Sequence, residues 1–223
     1  MKALINSVSP LIWLLFAVTS LIWIFIPQID IYVANLFYTQ GSGFVFSGSV
    51  LETVLYNSVK YVLISINLGA LALWLYNRFS KKDILGFNGK KMLFVILVLA
   101  IGSGLIVNAL LKENWGRPRP AQSTLFNGKM EFKPAFIMSN QDGYSFSCGH
   151  ASAAFALIAY AMLAKRRKKL WMTLVVGYGS VVGLARMAAG GHFLSDVVVS
   201  FFIVLITAKM LYYLMFERES ATL

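Results

Sequence analysis

The 223-residue chain holds one cysteine, Cys148, and two histidines, His150 and His192. A single cysteine excludes an intramolecular disulfide framework and any metal site built from several thiolates. Charge is also scarce: 13% of residues are charged, against about a quarter in soluble domains, while 58% are hydrophobic. That balance excludes an ordinary soluble domain and marks an integral membrane protein. Acidic residues are the rarer charged class, 9 against 20 Lys and Arg, giving a formal net charge of +11. The basic excess falls in blocks between apolar runs, with no zinc-finger spacing and no basic face interleaved with aromatics. Nucleic acid is therefore not the expected partner, and the bilayer is.

A membrane-spanning helix needs about 20 mostly apolar residues. Six stretches come near that length: Pro10–Ile26, Tyr61–Tyr76, Met92–Leu111, Ala151–Ala164, Leu170–Leu184 and Val197–Phe216. The expected fold is all-α, a six-transmembrane-helix bundle forming one membrane-embedded domain over residues 1–223. Lys2 before the first stretch suits a secretion signal, but Phe25-Ile26-Pro27-Gln28 offers no small-residue cleavage site, so an uncleaved span is expected. Cations in short loops mark the cytoplasmic side. Arg78, Lys81, Lys82, Lys90 and Lys91 separate the second and third stretches, and Lys165–Lys169 separate the fourth and fifth. Both loops, with Lys2 and Arg218, are expected inside, which turns the other three loops outward. Between the first two spans, Ser49–Lys60 reads as an amphipathic helix on the outer surface or as plain packing.

Three polar clusters fall at the outward ends of these spans. Lys112 and Arg119 follow the third span, Ser147-Cys148-Gly149-His150 lead into the fourth, and Arg186, His192 and Asp196 lie between the fifth and sixth. The connection Glu113–Phe146 that joins two of them is long for a helical bundle, and long loops are usually functional or disordered. His192 and Asp196 are four apart and share a helix face. A carboxylate there can accept the imidazole Nδ1–H and leave Nε2 as a nucleophile. Lys112, Arg119 and Arg186 suit the oxygens of a phosphoryl group, and arginine adds a bidentate fork. Gly149 before a helix permits close backbone approach and offers N-terminal donors. His150 fits as the acid that protonates a leaving alkoxide. Phosphoryl transfer is the leading chemistry.

The alternatives are weaker on residue type. A cysteine-dependent phosphatase needs an arginine six residues after the thiolate, where this chain has Ala154. A two-metal hydrolase needs a cage of carboxylates that the outer loops lack. A transporter predicts ionisable residues near mid-span, and these spans are almost free of them. Arg117, Lys129 and Lys133 read mainly as interfacial anchors, with a weaker claim to substrate contact. Glu113 and Asn114 read as loop or cap residues, and Asp142-Gly143 as a turn. The string Ile101-Gly102-Ser103-Gly104 reads as close helix packing.

The three clusters resemble the signature of the type 2 phosphatidic acid phosphatase family, the membrane branch of the vanadium haloperoxidase-like superfamily. That signature runs Lys-x6-Arg-Pro, then Pro-Ser-Gly-His, then Ser-Arg-x5-His-x3-Asp. Lys112, Arg119 and Pro120 meet the first motif in full. Gly149 and His150 meet the second, with Ser147 for proline and Cys148 for serine; Arg186, His192 and Asp196 meet the third, with Ala185 for serine. A thiol is a weaker donor to phosphate than a hydroxyl. Trp115-Gly116-Arg117-Pro118-Arg119-Pro120, Phe126-Asn127-Gly128, Phe132-x-Pro134-Ala135, Ser145-Phe146 and Phe37-Tyr38 before Gly43-Phe44 look most like the bacterial lipid A phosphatase subgroup. Relatives acting on phosphatidylglycerol phosphate, phosphatidic acid or undecaprenyl pyrophosphate share much of this pattern.

The resemblance implies a metal-independent lipid phosphatase of the bacterial inner membrane, with its site facing the periplasm. It would work through a phosphohistidine, with a membrane lipid as substrate and no cofactor. It assigns catalysis to His192, His150 and Asp196, and phosphate binding to Lys112, Arg119, Cys148, Gly149 and Arg186. A lipid phosphotransferase of the same fold would use the same residues, because access selects the acceptor. Nothing in the sequence sets an oligomeric state.

Overall fold

The structure is a computed structural model describing residues 2–218. Met1 and residues 219–223, the two ends of the domain expected over 1–223, lie outside the described residues. The chain is mostly helical. A short helix α1 (Lys2–Asn6) precedes α2 (Pro10–Phe25), which starts with Ser9 as a side-chain cap and Pro10 in the first turn. That pairing uses the fixed φ of proline where no N–H is needed. A bend of 85° at Ile26-Pro27 leads into α3 (Gln28–Asn35). A two-stranded antiparallel hairpin follows, β1 (Tyr38–Thr39) against β2 (Gly43–Phe44).

The stretch Ser49–Lys60 is not a separate surface helix. It forms the start of α4 (Val50–Ser80), one continuous helix of 31 residues. Ser49 accepts a hydrogen bond from the Glu52 amide, and the Glu52 carboxylate accepts one from the Gly48 amide. These reciprocal caps start the helix at Val50, well ahead of the apolar run that opens at Tyr61. At 1.5 Å per residue α4 is roughly 46 Å long, well beyond a hydrocarbon layer of roughly 30 Å. Its first turns lie beside the polar clusters, with Glu52 on Arg186 and Tyr56 on His150.

The helix α5 (Gly89–Lys112) begins under an Asn88 cap and continues as π-helix from Val98 to Lys112. Asn114 closes it by donating to the carbonyls of Ala109 and Leu110. The fourth apolar stretch is broken into α6 (Gly149–Phe155) and α7 (Ile158–Leu163). The remaining helices are α8 (Lys168–Ala188) and α9 (Leu194–Tyr212), the latter running on as π-helix to Glu217.

Among the described residues four helices are long and apolar enough to cross a membrane: α4, α5, α8 and α9 with its extension. The bent pair α2–α3 makes a fifth if it is one span, while Gly149–Leu163 is apolar but shorter. That short segment is the centre of the bundle. Ala151, Ala154, Ile158 and Ala159 have no exposed surface, and Phe155 has almost none. Close approach around it depends on small residues. Ser152 Oγ lies 2.8 Å from Ser103 Oγ, and Gly102 sits against Val204 and Thr207, as the Gly-Ser string predicts. By contrast α2 and α4 expose Leu11, Leu14, Tyr61 and Leu68, apolar faces suited to lipid.

Candidate active site

The Glu113–Phe146 connection is an ordered scaffold. Gly116 has φ +67°, and a Cβ there would overlap the Ser139 carbonyl, so the chain reverses in space that only glycine leaves free. The reversal sends Arg117 into the protein, where it has no exposed surface. Its Nε donates to the Lys133 carbonyl at 2.9 Å and its Nη2 to Asp30 Oδ2 at 2.7 Å. Its Nη1 donates to Ser195 Oγ at 2.8 Å and to Asp196 Oδ1 at 2.5 Å. The guanidinium carbon lies 4.5 Å from the Phe193 ring centre. This overturns the reading of Arg117 as an interfacial anchor: two buried carboxylates outcompete the headgroup region for it. Lys133, by contrast, forms an exposed ion pair with Glu131.

The turn between α8 and α9 carries His192. Gly190 has φ +69° and packs under the Phe44 ring, and its carbonyl accepts from the Ala121 amide. One bond thus ties the Arg119 segment to the residues just before His192. The His192 ring is 3% exposed, with Nδ1 2.7 Å from the Ser145 carbonyl oxygen. A carbonyl can only accept, so Nδ1 carries a proton and Nε2 is the atom available for chemistry. Asp196 Oδ2 lies 3.6 Å from Nδ1, so the direct acceptor differs from the carboxylate that helical spacing predicts. Asp196 works one step away, accepting from Ser145 Oγ and from the Phe193 amide at 2.8 Å. The carboxylate thereby fixes both the loop that holds the ring and the first turn of α9.

Cys148 is fully buried, close enough to His192 for the two to shift each other's titration. Burial would raise the thiol pKa, but the charge and hydrogen bond of His192 outweigh it and lower it. Burial likewise would lower His192, yet the charge of an ionised Cys148 and the Asp196 carboxylate outweigh it, and His192 is raised to about 9. Gly149 packs against the Asn108 side chain, which is held by the Ser103 carbonyl.

The His150 ring packs on Tyr56, with ring centres 3.9 Å apart. Its pKa falls to about 4 through burial first, then through the charges of Arg186, His192, Lys112 and Arg119. All three expected cations, Lys112, Arg119 and Arg186, thus lie near enough to act on His150, as does His192. Arg186 donates from Nη1 to Glu52 Oε1 at 2.7 Å and sits 5.1 Å from the Tyr56 ring. Its Nη2 lies where a Cβ on Gly191 would be. The Nε atoms of Arg119 and Arg186 and the Ser147 Oγ are buried without a hydrogen-bond partner. Orphaned buried donors are costly, and these three suit an oxyanion between the two histidines. Among the described residues no group of three or more His, Cys, Asp or Glu is placed to hold a metal ion.

The structure thus brings Lys112, Arg119, His150, Arg186 and His192 to one locality, with Cys148, Gly149 and Asp196 behind them. The sequence reading gave no site role to Glu52, Tyr56, Ser145 or Asp30. Asp30 carries a signal, as a lone acid inside the apolar segment Ile26–Ala34, and Glu52 carries one as the fourth residue of a Ser-x-x-Glu cap; Tyr56 carries none.

Comparison with known proteins agrees with this arrangement. Residues 93–220 match the model of the PAP2 superfamily. The chain is 36% identical over 206 residues to the Lipid A 4'-phosphatase of Francisella tularensis subsp. novicida (strain U112), covering 88% of this chain and 92% of that protein. It is 28% identical to the Lipid A 4'-phosphatase of Rhizobium leguminosarum, covering 84% of this chain and 87% of the relative. It is 27% identical to the Undecaprenyl-diphosphatase BcrC of Bacillus subtilis (strain 168), covering 71% and 72%. No solved structure matches the chain significantly. With a match over more than half its length and all three motif clusters gathered around His150 and His192, the chain belongs to the PAP2 superfamily.

Proposed function

We propose that the protein is a metal-independent lipid phosphatase that removes a phosphate group from lipid A at the periplasmic face of the bacterial inner membrane. The observation that carries this reading is the His192 ring, held through Nδ1 by the Ser145 carbonyl and flanked by cationic groups with unspent donors. The curated relatives named as lipid A 4'-phosphatases support the substrate. His192 Nε2 attacks phosphorus, the N–P bond forms and the P–O bond to the lipid breaks. His150 gives a proton to the leaving oxygen. Water, deprotonated by His150, then cleaves the phosphohistidine and releases phosphate. Lys112, Arg119 and Arg186 hold the equatorial oxygens throughout.

The membrane arrangement belongs to the same proposal. The bent pair α2–α3 and the short segment Gly149–Leu163 complete six crossings within one domain over 1–223. The cationic blocks Arg78–Lys91 and Lys165–Lys169 then lie in the cytoplasm, and the clusters open to the periplasm.

Lipid A, phosphatidylglycerol phosphate, phosphatidic acid and undecaprenyl pyrophosphate offered separately to purified protein test the substrate. Release from lipid A should exceed the others by about a hundredfold, a gap of about 2.8 kcal/mol. Preferred release from undecaprenyl pyrophosphate would favour the diphosphatase reading that the Bacillus relative suggests. Activity should persist in EDTA; loss restored by magnesium would refute the metal-free route.

The pKa values predict a pH effect. In the resting site the proton lies on His192, near 9, and not on His150, near 4, whereas attack needs the reverse. The reactive fraction grows as the two values approach each other, and the upper limb of the kcat/KM profile follows the higher one. Ionisation of Cys148 is among the causes that raise His192, so Cys148→Ser should move the upper limb down and raise the plateau. With one substrate in both enzymes its own ionisation cancels. An unchanged limb would separate Cys148 from the His192 titration.

A further inference from the structure

The first turns of α4 carry Glu52 and Tyr56, four residues apart and on one helix face. Glu52 is divided between two tasks. Its Oε2 accepts from the Gly48 amide at 2.9 Å as a helix cap, and its Oε1 accepts from Arg186 Nη1 at 2.7 Å. The pair is only 11% and 19% exposed, so solvent screens it weakly. Tyr56 touches both the His150 ring and the Arg186 guanidinium.

The geometry of the guanidinium decides what this contact does. A carboxylate whose purpose is to neutralise an arginine takes two parallel hydrogen bonds. Glu52 takes only Nη1, the nitrogen on the far side from the Nε–H. The fork formed by Nε and Nη2 stays unspent, with Nε buried and without a partner and Nη2 packed over Gly191 beside His192. A buried donor left open in this way is set for an incoming acceptor.

We propose that Glu52 and Tyr56 are positioning residues of the phosphate site. Glu52 holds Arg186 by Nη1 so that the Nε–Nη2 fork presents to two phosphoryl oxygens. Tyr56 fixes the planes of Arg186 and His150 relative to each other. This rests on the phosphatase reading above. It also gives the overlong α4 a purpose, since a helix confined to the hydrocarbon would not reach Arg186.

The test uses the full-length protein and two readouts: phosphate release from lipid, and protection against thermal unfolding by inorganic phosphate. Glu52→Ala should lower kcat/KM by about tenfold or more, the usual scale for one hydrogen bond to a charged group, and weaken phosphate protection similarly. Glu52→Gln retains an acceptor at Oε1 and should recover to within about threefold of wild type. In an Arg186→Ala background Glu52→Ala should add no further loss. Ser49→Ala loosens the same helix end without touching Arg186, so it should lower the melting temperature and leave KM unchanged. Tyr56→Phe should keep most of the kcat that Tyr56→Leu loses. Tighter phosphate binding in Glu52→Ala would make Glu52 a competitor of substrate and overturn the proposal. So would a loss in Glu52→Ala equal to that in Ser49→Ala, or a full loss persisting without Arg186. If wild type releases phosphate from no lipid while inorganic phosphate still protects it in a Glu52-dependent way, the phosphatase reading fails and this one stands.

Discussion

His192→Ala is expected to lower phosphate release by roughly 10⁴-fold or more, the scale of removing a nucleophile from an assembled site. The magnitude follows from what is left behind. Lys112, Arg119 and Arg186 still bind phosphate, so KM should change little, but no second nitrogen faces the same space. His150 packs on Tyr56, and its low pKa suits proton exchange more than displacement. The Cys148 thiol is the one neighbouring group able to attack, and it is fully enclosed. His150→Ala should cost less, about 10²–10⁴-fold, because it removes acid–base help alone. The deficit should shrink on substrates with good leaving groups, which need no proton. Wild-type turnover by His192→Ala would end the phosphohistidine mechanism, and complete loss in Cys148→Ser would point to sulfur instead.

The five residues brought together around the anion site were legible in the sequence because their spacing is local. Lys112 with Arg119, and Arg186 with His192 and Asp196, each sit within about three helical turns at a span end. Residues held by distant partners were not legible. Glu52, Asn57 and Lys60 dot an apolar stretch with polar groups, the pattern of a surface helix, and only the reciprocal cap at Ser49 and Glu52 shows that α4 starts there. The Glu52–Arg186 pair joins positions 134 residues apart. Apolar run length located the long helices, and the fourth stretch, expected over Ala151–Ala164, falls in the two short helices of Gly149–Leu163. Gly149–Leu163 is short because small residues let neighbours wrap it, leaving little of it for lipid to cover. The role of Asp196 was half visible: helical spacing aimed it at His192, but the loop backbone at Ser145 takes that bond, and a loop's path is not written in its own residue types.

Arg117 is where sequence and structure differ most, and its replacement carries the largest expected stability effect. Arg117→Ala should destabilise the protein by about 3–5 kcal/mol, because it leaves Asp30 and Asp196 buried without their shared cation. Neither acid can turn to water: Asp30 is 1% exposed and Asp196 is 0% exposed. Arg117→Lys should recover only a small part. One ammonium cannot span the Lys133 carbonyl on one side, Asp30 on another and the Ser195–Asp196 pair on a third, as the planar fork does. Thermal unfolding in detergent measures the first effect. The second readout is kinetic, since Asp196 holds Ser145 and Ser145 holds His192: variants that remain folded at low temperature should lose kcat while phosphate binding through Arg119 and Arg186 is largely kept. An Arg117→Ala protein with wild-type melting temperature and kcat would show that the Asp30–Arg117–Asp196 network neither stabilises the fold nor orients the nucleophile.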